Sequence, residues 1–220
     1  WVYENAVKSP LLDAVFVATD SAIIATHLQE QKIPYQLTSP SLSTGTKRCC
    51  AAAKALPNID ADTVFVNIQG DEPLISTAQI AAVLEPFESK KTQIASLYKT
   101  SISQKSFNDP NIVKVVLDTY QRALYFSRSP IPNAQRALDS FTHFQQHIGL
   151  YAYRFSTLKK IDKLPQSALE KSESLEQLNW MWNGFEIEMR ETDQQNFSID
   201  TPEDLNNVEQ YLEEINRQKP

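Results

Sequence analysis

The sequence is poor in the residues that loosen, cross-link or anchor a chain. Of its 220 residues only four are glycine and two are cysteine, with three histidines. Cys49 and Cys50 are adjacent, which precludes a disulfide framework and gives no metal-ligand spacing. They read as small, semi-buried side chains of a reducing compartment. No apolar run reaches the length of a membrane span, and no leader pattern is recognisable, so the expected location is cytoplasmic. Positive charge is also short: 21 Lys and Arg face 27 Asp and Glu, for a net charge of -6. Phosphate-backbone binding wants a basic face, so nucleic acid is excluded as the main partner. A local basic pocket for a small anion is still allowed.

What is present is globular material. Apolar residues at 41% and charged residues at 22% suffice for a packed core. The length suits a single domain over residues 1–220. In the first half, short β-rich runs at 15–19, 34–37 and 63–68 alternate with helical stretches at 22–31, 48–56 and 77–87. Such alternation predicts a parallel sheet with crossover helices. Ligands in these sheets sit beyond the carboxyl ends of the strands, so the segments after Thr19, Leu37 and Ile68 should share one cleft. The second half predicts a strand at 94–98, a hairpin of 113–117 with 123–126, and a strand at 148–153. Helices follow at 155–161 and 173–182, then a strand at 186–190 and a last helix at 202–217 capped by Thr201. The class is therefore α/β with a mixed sheet. Residues 1–7 read as the middle of an amphipathic helix without a cap, which suggests a late start.

With so few glycines, each position carries information. Gly184 follows a helical stretch and reads as a helix stop. Gly45, Gly70 and Gly149 each sit beside polar groups at a strand end or loop. Asp71 follows an apolar strand, with Gln69 and Gly70 clearing space around it. A carboxylate there either caps a turn before Pro73 or holds magnesium, which takes one or two carboxylates plus phosphate oxygens. Asp200, at another strand-like end, is either an N-cap or a second metal ligand. Lys47 and Arg48 follow Gly45 near a helix start, where cations and unpaired N–H groups suit an anion. Arg128 can serve the same end, or either arginine can be a surface ion pair. His147 and Tyr151 lie four apart in an extended run and should face one side. Glu176 and Gln177 either reach substrate hydroxyls or form a solvated helix face.

Together the ordered blocks resemble the 3-deoxy-manno-octulosonate cytidylyltransferase (CMP-KDO synthetase) family. They are Val17-Ala18-Thr19-Asp20, Thr44-Gly45-Thr46-Lys47-Arg48, Val66-Asn67-Ile68-Gln69-Gly70-Asp71-Glu72-Pro73 and Ala123-Leu124-Tyr125-Phe126-Ser127-Arg128. They continue with His147-Ile148-Gly149-Leu150-Tyr151-Ala152-Tyr153, Leu175-Glu176-Gln177-Leu178 and Asp200-Thr201-Pro202-Glu203-Asp204. The resemblance implies a three-layer, nucleotide-diphospho-sugar transferase-like (Rossmann-like) mixed sheet with helices on both faces. It implies attack of the sugar acid's anomeric hydroxyl on the α-phosphorus of CTP, releasing pyrophosphate, for lipopolysaccharide synthesis. By matching position, Asp71 and Asp200 would be the catalytic metal ligands for Mg2+. Arg48, Gln69, Arg128, His147, Tyr151, Glu176 and Gln177 would hold the sugar acid. A homodimer is expected.

The chain departs from the family pattern in three places. Lys47 stands where the family has Glu, and Asn179 where it has Arg. A leading strand and loop of the kind Pro-Ala-Arg-x-x-Ser-x-Arg, which grips CTP in the family, has no counterpart. The expectation is thus an N-terminally truncated cytidylyltransferase domain of doubtful activity as it stands. Two alternatives accompany it. One is an enzyme for another acidic sugar, 8-amino-KDO or a sialic acid; the other is an impaired fragment that keeps sugar-binding and dimer surfaces.

Overall fold

The computed structural model describes residues 1–133, 143–194, 198–199 and 201–218, apart from the side chains of 202, 207 and 213–218. Asp200, one of the two expected metal ligands, lies outside the described residues. In chain order the elements are α1 (Val2–Ala6), β1 (Val17–Thr19), α2 (Ala22–Glu30), β2 (Tyr35–Leu37), α3 (Gly45–Ala55), β3 (Val64–Asn67) and α4 (Thr77–Leu84). A 3-10 turn (Glu85–Glu88), β4 (Ile94–Ser101), α5 (Gln104–Asn108), β5 (Lys114–Leu117) and β6 (Ala123–Ser127) follow. The chain continues with β7 (Phe144–Arg154), α6 (Phe155–Ile161), α7 (Ala168–Glu173), α8 (Glu176–Trp182), β8 (Ile187–Glu191) and α9 (Pro202–Gln218).

The helix starts are written locally. Ser21, Thr44, Ser76, Ser103 and Ser167 each stand at an N-cap and accept a hydrogen bond from the third helical N–H. Each such cap is worth about 1 kcal/mol against alanine. Thr201 caps α9 as expected: its Oγ1 accepts from Asp204 N at 3.2 Å, and Asp204 Oδ2 accepts from Thr201 N at 2.8 Å.

The sheets are less regular than strand-helix alternation suggests. β1 and β2 pair in parallel as a separate two-stranded sheet. The remaining six strands form a mixed sheet of order β6-β5-β7-β4-β8, with β3 also paired to β7. β3 runs antiparallel to β7. The expected parallel run across the first half is therefore confined to β1 and β2. β7 organises the large sheet. One edge follows β4 throughout, while the other pairs with β5 at Gln145 and Gln146 and with β3 from Tyr151 to Arg154.

Helices cover both faces of this sheet. Cys50, Ala53, Phe126, Tyr151, Tyr153, Phe155, Leu158, Leu178 and Trp180 pack on one side, bringing α3, α6 and α8 against it. Ile75, Ile80, Val83, Ala95, Leu97, Ile148, Leu150 and Ala152 form the other core, under α4. The three-layer mixed α/β expectation holds. Burying each large aliphatic chain contributes about 1.5–3 kcal/mol.

Some boundaries differ from the sequence reading. The helix expected at 173–182 begins at Glu176, and α7 (Ala168–Glu173), which was not expected, precedes it and is ended by Ser174 at φ 52°, ψ 47°. A left-handed residue cannot continue a right-handed helix. The helix at 77–87 tightens into a 3-10 turn at Glu85, where Pro86 removes an N–H. Gly184 stops α8 with φ +82°, as expected.

Candidate active site

The site gathers at the N-terminus of α3. Gln69, two residues beyond β3, lays its amide over Gly45, the first residue of α3. A β-carbon at residue 45 would meet Gln69 Oε1 at 3.1 Å and Nε2 at 3.3 Å, so any other residue there would push the Gln69 amide back slightly. From the opposite side, the N-terminus of α8 delivers Glu176, whose Oε2 accepts from Thr46 Oγ1 at 3.0 Å. Arg48, one turn into α3, donates to Thr38 Oγ1 at 2.6 Å and pairs with Asp20 Oδ2 at 2.9 Å. The segments after β1, β2 and β3 thus meet around one helix start, as the strand-end rule requires.

The floor of the site is the aromatic face of β7. His147 and Tyr151 share it, with ring centroids 5.4 Å apart. Their common orientation survives an irregularity. Tyr151 opposes Ser96, but Ile148 opposes Leu97, so β7 advances three residues while β4 advances one. Two inserted residues preserve the alternation, whereas one would have turned Tyr151 to the other face. Ser96 sits at this bulge and its hydroxyl lies 3.0 Å from His147 Nε2, 3.2 Å from Ile148 O and 3.0 Å from Leu150 O. A hydroxyl has one proton; given to either carbonyl, it leaves the oxygen to accept from His147 Nε2–H.

Tyr151 stacks on Tyr153 at 5.8 Å and meets the edge of Trp180 at 5.2 Å, and His147 packs edge-on against Phe126 at 5.0 Å. Asn67 opposes Tyr151 across the β3–β7 ladder. Asn67 Nδ2, Tyr151 Oη and Tyr153 Oη are buried without a well-aligned hydrogen bond, although the Ser96 and Thr46 hydroxyls lie close to Tyr151 and Tyr153 respectively. Unpaired polar atoms cost free energy, and a cluster of them beside a cleft suits a ligand or water.

Burial sets the electrostatics. It pushes the His147 imidazole down to about 3, so the ring is neutral. It raises the Tyr151 hydroxyl well above its ordinary value, with the Glu176 charge adding to this. Glu176 is also raised by burial, against the lowering effect of hydrogen bonds from Thr44 and Thr46 and of the Lys47 charge. Asn179 spends its amide on packing: Nδ2 donates to Pro165 O at 3.0 Å. Burial lifts Cys49 to about 12 and Cys50 to about 11, so both are inert thiols.

The other expected residues make separate contacts. Arg128 lies just past β6, with Nε donating to Glu173 O at 2.8 Å and Nη1 to Pro110 O at 3.1 Å. Gln177 is buried within α8. Asp71 lies just past β3, where Oδ2 accepts from Ser198 Oγ at 3.0 Å and its backbone O accepts from Ile199 N at 2.9 Å. It borders an open groove of about 490 Å³ lined by Trp1, Val2, Gly70, Pro73, Ile199 and Leu205. Among the described residues no three acidic, His or Cys side chains cluster as a metal cage. A single partly exposed carboxylate still matches the hard-oxygen, phosphate-sharing habit of magnesium. The sequence reading missed Thr46, Asn67, Ser96 and Tyr153. Asn67 and Ser96 were signalled by being polar within otherwise apolar strands.

A mixed sheet of this order, covered on both faces and with polar strand ends gathered at one helix start, defines a nucleotide-sugar transferase-like α/β protein. The cytidylyltransferase family model matches residues 1–217, and the chain belongs to that family. Its relatives include proteins named 3-deoxy-manno-octulosonate cytidylyltransferase. The one from Chlorobium limicola is 45% identical, with 96% of this chain and 84% of the relative aligned. The one from Parabacteroides distasonis is 44% identical over 96% and 86%, and that from Acidobacterium capsulatum 40% over 96% and 84%. Among solved structures, a CMP:2-keto-3-deoxy-manno-octonic acid synthetase complexed with CTP superposes with a TM-score of 0.88 at 33% identity, covering 97% of this chain and 86% of that one. A 4-diphosphocytidyl-2C-methyl-D-erythritol synthase from Anaerococcus prevotii shares the fold alone, with a TM-score of 0.57 at 14% identity, over 96% of this chain and 87% of that one.

Proposed function

We propose that the chain joins CTP to 3-deoxy-D-manno-octulosonate, forming CMP-octulosonate and pyrophosphate for lipopolysaccharide synthesis. The reading is supported by Gln69 and Glu176 at the start of α3, by Tyr151, which feels the Glu176 charge and packs on His147, and by relatives named for this reaction. The anomeric oxygen forms a bond to the α-phosphorus, the bond from that phosphorus to the bridging oxygen breaks, and the hydroxyl proton is released. Such transfer depends on positioning and charge neutralisation more than on covalent help.

In this reading the aromatic floor and the Gln69 amide seat the sugar, and Glu176 with Gln177 accepts from or donates to its hydroxyls. Asn67 Nδ2 and Tyr151 Oη, which form no well-aligned hydrogen bond within the protein, gain partners there. His147, neutral and held through Ser96, acts as a hydrogen-bonding group and not as a cation. Arg128 and Arg48 supply positive charge for the sugar carboxylate. Asp71 and Asp200 would hold Mg2+, which neutralises phosphate charge when bound. We place the enzyme in the cytoplasm as a homodimer. No helix among the described residues is long and apolar enough to cross a membrane.

The test is pyrophosphate release by the purified protein with CTP, Mg2+ and octulosonate, beside 8-amino-octulosonate and a sialic acid. The expected outcome is greatest turnover with octulosonate. Absence of pyrophosphate with all three sugars overturns the assignment. Sedimentation of the same sample checks the dimer.

A further inference from the structure

Lys114 is the one charged side chain of β5 and has no exposed surface at all. A buried ammonium must spend its three N–H groups on acceptors. Lys114 Nζ donates to Asp109 O at 3.0 Å, to Ile112 O at 2.7 Å and to Arg128 O. Glu173, the last residue of α7, holds the same strand end from the other side. Its Oε1 accepts from Ser127 Oγ at 2.6 Å and its Oε2 accepts from Arg128 N at 2.8 Å. The backbone of residue 128 is thus gripped at both polar groups, the N–H by a carboxylate and the C=O by an ammonium.

The grip extends to the guanidinium. Arg128 Nε donates to the backbone O of Glu173, and Nη1 donates to Pro110 O, which sits in the turn that Lys114 ties down. Among the described residues no acceptor meets Nη2. The break between α7 and α8 has a role in this arrangement. Ser174, in the left-handed conformation, ends α7 at Glu173 and leaves the Glu173 carbonyl to accept from Arg128.

We infer that Glu173 and Lys114 are positioning residues that aim the Arg128 guanidinium, with its Nη2 edge turned to an anionic group of the substrate. The inference rests on the reading above, in which Arg128 serves the carboxylate of an acidic sugar. A surface arginine on a rotatable stem would pay rotamer entropy on each binding event; one held at Nε, Nη1 and both backbone groups does not.

The experiment compares wild type, Glu173→Gln, Arg128→Met and the double variant by direct titration with octulosonate and by steady-state kinetics. A glutamine offers one carbonyl oxygen where Ser127 Oγ–H and Arg128 N–H need two acceptors. Glu173→Gln should weaken sugar binding about tenfold, the scale of one charge-assisted hydrogen bond. Its KM for CTP and its kcat should stay within about twofold of wild type. In the Arg128→Met background, Glu173→Gln should add little further loss, because the lost interaction runs through Arg128. Wild-type sugar affinity in Glu173→Gln, or full additivity with Arg128→Met, overturns the inference alone. Wild type that neither binds nor turns over octulosonate overturns the functional reading and this inference together. Should Glu173→Gln fail to fold, Ser127→Ala, which removes one anchor of Glu173, must show the same selective rise in the sugar KM.

Discussion

The two faces of β7 are built from alternate residues of one strand and have opposite characters. Toward α4 it presents Ile148, Leu150 and Ala152, which join Ala95, Leu97 and Ile80 in an aliphatic core. Toward α3 and α8 it presents His147, Tyr151 and Tyr153, beside Ser96 and Asn67. The first face has no polar side-chain atoms among these residues to satisfy. The second carries two phenols and an amide that form no well-aligned hydrogen bond. A fold can carry that cost on one face because the other is dry and close-packed. The difference separates what holds the molecule together from what it offers a ligand, and each side can be perturbed alone.

The largest separation is expected at the strand end. Asp71→Ala should lower turnover by about a hundredfold or more, on the scale of removing one electrostatic group from a transfer site. Thermal unfolding should move little, because Asp71 is partly exposed and engages chiefly Ser198 and Ile199. Pyrophosphate release and calorimetry on one sample measure both. On the aliphatic face the pattern should reverse. Leu150 is fully buried, so Leu150→Ala should cost about 2–5 kcal/mol in urea unfolding while the folded fraction keeps its sugar KM. A large KM change there would mean that the two faces are mechanically coupled.

A smaller effect is expected at the seam between α3 and α8. Thr46→Val removes the hydroxyl that donates to Glu176. The loss of one hydrogen bond, about 1 kcal/mol, should weaken sugar binding roughly fivefold. It should also raise the Glu176 carboxyl further, since that bond opposes the effect of burial. The pH profile of binding would then shift upward.

The last is a slope. His147 is depressed to about 3 in the folded protein, against an ordinary value near 6.5. Between those values the unfolded chain binds the proton and the folded chain does not, so stability falls as pH drops from about 6.5 toward 3. His147→Gln should flatten this part of the profile in urea titrations at pH 5 and pH 7. An unchanged slope would show that His147 is not the group responsible.

Much of this was legible in the residues. Thr201 before α9, Gly184 after α8 and the apolar run into Asp71 are local signals, and their elements formed as read. Of the residues chosen by block and spacing, Gln69 lies against Gly45 and Glu176 bonds Thr46 at the start of α3, while His147 packs on Tyr151. Other features escaped. α7 was not expected, and Ser174 carries no sign that it would turn left-handed and end that helix just before α8. The double insertion at Gly149 and Leu150 depends on how β7 registers with β4. The carbonyls that hold Arg128 come from Pro110 and Glu173, far away in the chain.

The division follows from range. Alternation, caps and composition act over a few residues, so the sequence by itself determined the element types, the α/β class and the carboxylate at the end of β3. Which strands pair, which face a side chain takes past a bulge, and which distant carbonyl meets a buried cation are settled only when segments compete for partners in one core. Lys114 states the case most plainly: in the sequence it is a lone cation in an apolar strand, and in the fold its three N–H groups draw the Asp109–Ile112 turn and the Arg128 strand end together. An unsatisfied buried charge is too costly to leave, so the tertiary structure had to supply acceptors that no local pattern announces.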